Sequence, residues 1–226
     1  MTVAQRLAQV RARIDGAARR AGRDPEAVHV LAVTKKQPVE LVREAIACGA
    51  RDLGESYVQE LVARHRELGD SPDLCWHFVG HLQTNKAKDV ARIARVVHSV
   101  DSARLAHELG RRASADAGRL DVFLQVNVGG EAQKSGCAPA QAKEVLAAIE
   151  LEPSLRVRGL MTVPPHTDDP EGARPFFRAL RELRDALGGS QRLPDLSMGM
   201  SHDLEVAVEE GATWLRIGTA IFGERP

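Results

Sequence analysis

Short runs of apolar and β-branched residues alternate with alanine-, leucine- and charge-rich stretches along almost the whole chain. Eight such runs, at Val28–Thr34, Arg51–Gly54, Trp76–Val79, Val96–Val100, Val122–Val128, Arg156–Met161, Leu196–Met198 and Trp214–Ile217, have the length and composition of buried strands. The stretches Val39–Ala47, Tyr57–Glu67, Asn85–Ile93, Ala103–Ala115, Ala140–Ile149, Pro170–Leu187 and Leu204–Glu210 read as helices, and Gly188-Gly189-Ser190 reads as a loop. Strand and helix in strict alternation are the mark of βαβ units around a parallel sheet. Eight strands with seven intervening helices predict an α/β fold, a closed (β/α)8 TIM barrel with an extra N-terminal helix. Without a linker, repeat or composition break, residues 1–226 read as one domain.

The leading segment changes that picture little. Val3, Leu7, Val10 and Ile14 lie at helical spacing among Arg6, Arg11, Arg13, Arg19 and Arg20, a pattern shared by transit peptides. An amphipathic helix packed on the barrel is the preferred reading. Thirty-one basic residues balance thirty-one acidic ones, so no global field draws a polyanion or an anionic membrane. No apolar stretch is long enough to span a bilayer. Cys48, Cys75 and Cys137 are odd in number and lack close pairing, which fits reduced thiols in the cytoplasm.

Barrels of this class place their chemistry where strands end and the following loops begin. That rule collects Lys35, Gly54-Glu55, His77, Gly80, Asp101, Asn127, Met161, Ser201 and the Arg216–Thr219 run at one mouth. Lys35 is a candidate nucleophile, because an amine with an unperturbed pKa of about 10.4 becomes reactive when burial or nearby cations lower it. Lys36 competes for the role, since neighbouring strand residues point to opposite faces. Ser201 reads as the N-cap of the helix that follows, with its hydroxyl and nearby amides suited to a phosphate. Gly218-Thr219 offers further amides beside it, provided that Asp203 and Glu205 point away. Arg216, among Leu215, Ile217 and Ile221, needs a buried partner: a pyridine nitrogen, a carboxylate, or a core acid such as Glu55. His77 and His81 lack the glutamate of a zinc-protease helix, so no metal is expected, and neither nucleotide-binding glycine motif is present.

The stretches Leu31-Ala32-Val33-Thr34-Lys35, Gly54-Glu55-Ser56-Tyr57-Val58-Gln59-Glu60, Trp76-His77-Phe78-Val79-Gly80-His81-Leu82-Gln83-Thr84-Asn85-Lys86, Lys134-Ser135-Gly136, Arg158-Gly159-Leu160-Met161, Ser197-Met198-Gly199-Met200-Ser201 and Arg216 through Gly223 occur in order. Together they resemble the pyridoxal phosphate homeostasis protein family, relatives of the barrel domain of alanine racemase. The resemblance runs nearly end to end. It implies a barrel that holds pyridoxal 5′-phosphate as a Schiff base on Lys35 rather than Lys36. It also implies that Ser201, Gly218 and Thr219 bind the phosphate, that Arg216 faces the pyridine nitrogen, and that Met161 and Met198 help form the pocket. Ser56 departs from the pattern, standing where relatives often carry asparagine, and any contact made by that amide is shortened or lost.

A racemase of this architecture needs a second proton donor, a tyrosine from a further domain of a partner subunit. This sequence has one tyrosine, Tyr57, and ends soon after Phe222. Arg216 keeps its proton and makes the cofactor a poorer electron sink than a carboxylate partner would. The expectation is therefore a monomeric carrier in vitamin B6 and amino/keto-acid balance, delivering cofactor to apo-enzymes without robust turnover. A racemase or lyase acting at the α-carbon is the alternative.

Overall fold

The computed structural model describes residues 1–69, 71–113 and 118–224. Eight parallel strands close a barrel in chain order: β1 (His29–Val33), β2 (Asp52–Glu55), β3 (Cys75–Phe78), β4 (Val96–Val100), β5 (Leu120–Gln125), β6 (Leu155–Met161), β7 (Asp195–Ser197) and β8 (Trp214–Ile217). The ring shuts where β1 pairs with β8, Leu31 opposite Arg216 and Ala32 opposite Ile217. Around it lie α1 (Val3–Arg20), α2 (Val39–Ala47), α3 (Val58–Leu68), α4 (Ala87–Ile93), α5 (Ala103–Arg112), α6 (Ala142–Glu150), α7 (Arg174–Ala186), α8 (Gly189–Arg192), α9 (Leu204–Glu209) and α10 (Thr219–Phe222).

The expected strands and helices are all present, with edges that moved for local reasons. β5 starts two residues early and stops at Gln125, because the backbone beyond it pairs with Cys137, Asn127 N–H donating to the Cys137 carbonyl (2.9 Å), instead of continuing the strand to Val128. The first turns expected for α4 and α7 are 3₁₀ turns, the latter opened by Asp169, which caps Glu171 N–H ahead of Pro170. The stretch read as a loop from Gly188 is instead the short α8, entered through positive φ at Gly188. α10 was not foreseen, because four residues carry no readable period. The expected helix end at Ala115 lies outside the described residues.

α1 is the amphipathic helix that the spacing predicted. A capping box between Thr2 and Gln5 starts it, and Val3, Val10 and Ile14 are buried. Arg13 grips Glu205 (2.6 Å) and Arg20 grips Glu209 (2.9 Å), tying the helix to α9. Most of the core fills the shell between barrel and helices. Inside the barrel sits a smaller apolar cluster of Val96, Phe123 and Met161, and much of the remaining interior is polar. Among the described residues, no helix is long and apolar enough to cross a membrane.

Candidate functional site

β1 ends at Val33, and the chain turns through Lys35 and Lys36 before α2. Lys36 has φ +56°, the only positive φ at a non-glycine among the described residues. This left-handed step breaks the strand alternation between the two lysines. Lys36 is exposed, with its N–H donating to Glu60 Oε2 (2.8 Å), while Lys35 is half-buried and lines a cavity of about 680 Å³ at the mouth of the barrel. Ser56, Ser201, Arg216, Gly218 and Thr219 line the same cavity.

The turn carrying Lys35 is clamped from below. Thr34 Oγ1 donates to Glu55 Oε1 (2.6 Å), and Arg64 of α3 donates to the carbonyls of Gln37 (2.7 Å) and Thr34 (3.4 Å). Arg64 also stands 3.5 Å from Glu55. Burial pushes the Glu55 carboxyl up from 4.5 to about 7, against the opposing pull of Thr34 and Arg64. Glu55 is therefore committed to Arg64 and does not partner Arg216.

Arg216 finds neutral partners instead. Its Nη1 donates to Ser197 Oγ (2.8 Å) and its Nη2 to the Thr162 carbonyl (2.7 Å). Desolvation brings the guanidinium down to about 10, still charged at neutral pH.

Ser201 corrects one expectation. α9 begins three residues later, with Asp203 at its N-cap, and Ser201 Oγ accepts the N–H of Ala220 in the first turn of α10 (3.1 Å). The hydroxyl joins the β7 and β8 loops rather than capping its own helix. Both acids turn from the cavity as required: Asp203 accepts Met200 N–H (2.6 Å), and Glu205 pairs with Arg13. Met161 and Met198 do not line the cavity. Met161 lies one layer lower in the barrel interior and Met198 faces the helical shell, so Val163 and Met200, two residues further on, form the wall instead. His77 is likewise inside the barrel, not at the mouth, while His81 is exposed near Asp101 (4.0 Å).

The chain matches the family described as alanine racemase, N-terminal domain, over residues 5–226. It is 49% identical to the pyridoxal phosphate homeostasis protein of Pseudomonas aeruginosa, over 99% of this chain and 96% of that protein. The protein of the same name from Aquifex aeolicus is 47% identical, over 100% and 99%. The chain belongs to the pyridoxal phosphate homeostasis protein family. PipY of Synechococcus elongatus, whose structure was solved with PLP bound, aligns with TM-score 0.85 at 37% identity, over 98% of this chain and 100% of that one. An alanine racemase of Clostridium difficile, at 15% identity and TM-score 0.73, covers 88% of this chain and 53% of its own, and shares the fold alone.

The cavity in this family member suits that cofactor chemically. An amine, a guanidinium and a hydroxyl-and-glycine cradle converge on it, and Val33, Val79, Val163 and Met200 offer apolar surface for a ring. Gln37 lines it too, and its buried Oε1 has no partner among the described residues, leaving an acceptor to be satisfied. Close approach of the loops depends on glycine. A Cβ on Gly80 would stand 1.9 Å from the Ser56 carbonyl oxygen, and one on Gly199, at φ +90°, would meet Ala207 Cβ at 2.4 Å. Gly199→Ala is expected to cost on the order of 2–4 kcal/mol and to displace the Met200-Ser201 loop. Thermal unfolding with and without cofactor checks this; an unchanged melting temperature contradicts it.

Of the lining residues, Val33, Gln37, Val79, Val163, His166, Met200 and His202 were not foreseen. The period-2 rule would have found Val33 and Val163, each two positions from a named residue. Nothing in the sequence marked His166 or His202.

Proposed function

We propose that this chain binds pyridoxal 5′-phosphate on Lys35 and serves in intracellular vitamin B6 homeostasis, storing the cofactor and handing it to apo-enzymes. The convergence of Lys35, Arg216 and the Ser201, Gly218 and Thr219 cradle on one cavity carries this reading. The names of its relatives and the PLP-bound PipY structure support it. When bound, pyridoxal phosphate supplies an aldehyde that links reversibly to an amine and an electron-withdrawing ring.

The roles of the residues follow from their chemistry. Lys35 provides the amine. Ser201, Gly218 and Thr219 hold the phosphate, with Ser56 a smaller polar contact in the same cavity. Arg216 donates to the ring nitrogen and keeps its own proton, so the nitrogen stays unprotonated and the ring withdraws electrons weakly. Weak withdrawal fits a carrier better than a catalyst at the α-carbon. Tyr57, the single tyrosine, is 48% exposed and does not line the cavity, so it is not placed to serve as a second proton donor. Residues 1–226 then act as one cofactor-binding unit, a cytoplasmic monomer that hands its cargo over by exchange of one amine for another.

Purified protein given pyridoxal phosphate should show an imine absorbance band, and borohydride reduction followed by mass mapping should place the adduct on Lys35. Amino acids incubated with the loaded protein in deuterated water should gain deuterium at Cα far more slowly than with dedicated racemases. Absence of any band or adduct rejects cofactor binding, and fast deuterium uptake rejects the carrier reading in favour of a racemase or lyase.

A further inference from the structure

Below the cavity the barrel interior is not filled with the branched aliphatic layers usual for this fold. Five polar side chains from five strands form a continuous hydrogen-bonded chain there. Arg216 Nη1 meets Ser197 Oγ at 2.8 Å, Ser197 Oγ meets His98 Nδ1 at 2.8 Å, His98 Nε2 meets His77 Nδ1 at 2.9 Å, and His77 Nε2 meets Asp52 Oδ1 at 3.0 Å. Ser197, His98 and His77 are fully buried. Asp52 opens at the far rim into a second cavity of about 660 Å³, between α1 and the start of the barrel.

With both rings neutral, the two ends fix the direction of every bond between them. A guanidinium only donates and an ionised carboxylate only accepts. Ser197 Oγ therefore accepts from Arg216, and its own hydrogen goes to a bare His98 Nδ1. His98 then carries its proton on Nε2 and donates to a bare His77 Nδ1, and His77 donates from Nε2 to Asp52. The opposite tautomer of His98 would aim two donors at Ser197 Oγ, at the expense of the hydroxyl's bond to the ring. Burial, His77 and Arg216 all push the His98 pKa well below its usual value, in keeping with a neutral ring. The rings are also held from the side: His98 stacks on Phe123 at 4.4 Å and 10°, and His77 leans on Trp214 at 5.0 Å. Cys75 lies beside Asp52 and His77, and burial and Asp52 push its thiol up to about 12.

We propose that Asp52, His77, His98 and Ser197 are positioning residues, a one-way hydrogen-bonded chain that reaches from the far rim to hold the Arg216 guanidinium aimed into the mouth cavity. That the aim is at a pyridine nitrogen rests on the functional reading above; the chain itself does not.

Two measurements on the full-length protein without cofactor test the chain, so their outcome is separate from whether pyridoxal phosphate binds. Nitrogen-15 spectra should show His77 and His98 as neutral rings protonated on Nε2 at neutral pH. A ring protonated on Nδ1, or on both nitrogens, overturns the proposal. In the second measurement, Arg216 should give separate, slowly exchanging Nη signals, and His98→Leu, at a residue that reaches Arg216 through Ser197 and does not line the cavity, should merge them by releasing Ser197. Unchanged Arg216 signals in a folded His98→Leu protein reduce the chain to packing and overturn its positioning role. In the loaded protein, Ser197→Ala should weaken binding on the order of tenfold, the size of loss seen when outer-shell partners of a bound group are removed.

Discussion

Replacing Lys35 with alanine is expected to abolish the imine band and the borohydride-trapped adduct completely, whereas Lys36→Ala keeps both near wild-type intensity. The two residues are adjacent, so the contrast isolates geometry from charge. Lys35 lines the mouth cavity with Arg216 and the Ser201, Gly218 and Thr219 cradle, while Lys36, rotated away by its positive φ, is exposed beside Glu60. Residual, non-covalent binding by the cradle and Arg216 should survive in Lys35→Ala, visible as free-aldehyde absorbance that co-elutes with protein. Absorbance spectra and mass mapping of the reduced protein decide between the two lysines, and trapping on Lys36 would overturn the assignment.

Arg64→Met is expected to destabilise the fold by about 3–5 kcal/mol above neutral pH, the usual cost of removing one partner of a buried ion pair. It should weaken cofactor retention as well. Arg64 does not itself line the cavity, yet it holds both carbonyls that flank the Lys35 turn and opposes the buried Glu55 charge. The pH dependence has a definite sign. Glu55 is raised from 4.5 to about 7, so between those values the folded state binds more protons and this group's contribution falls as pH rises. Without Arg64 the carboxyl rises further, so the penalty of the substitution should be small near pH 5 and grow through pH 8. Chemical denaturation across that range measures it. A penalty independent of pH would mean that Arg64 works through its carbonyl contacts alone.

Much of the fold was legible because its signal is repetitive. Strand-like runs and helical stretches repeat eight times, and losing the edge of one, as at β5 or α7, does not change a closed parallel barrel. The chemistry at strand ends was legible for the same reason, since the fold fixes which end carries the loops. The hydroxyl of Ser201 was assigned to the wrong helix because its partner, Ala220 N–H, is distant in sequence and lies in a helix too short to read. Met161 lies deeper in the barrel than the wall and Met198 faces the helical shell, and only the first of these differences could be read from strand period. His98, central to the polar interior, carried no signal at all in a run that reads as an ordinary buried strand.

Local period and contiguous motif carried the barrel, the family and the choice of candidate amine, guanidinium and cradle residues. Three-dimensional packing was needed to show that Ser201 bonds to α10, that Glu55 belongs to Arg64, and that Arg216 donates to Ser197 and the Thr162 carbonyl. Those outcomes depend on which side chains share the low-dielectric interior, where an unpaired charge is costly and each donor must find an acceptor. Such pairing joins residues as distant as His98 and Ser197, 99 positions apart, and no pattern along the chain records it.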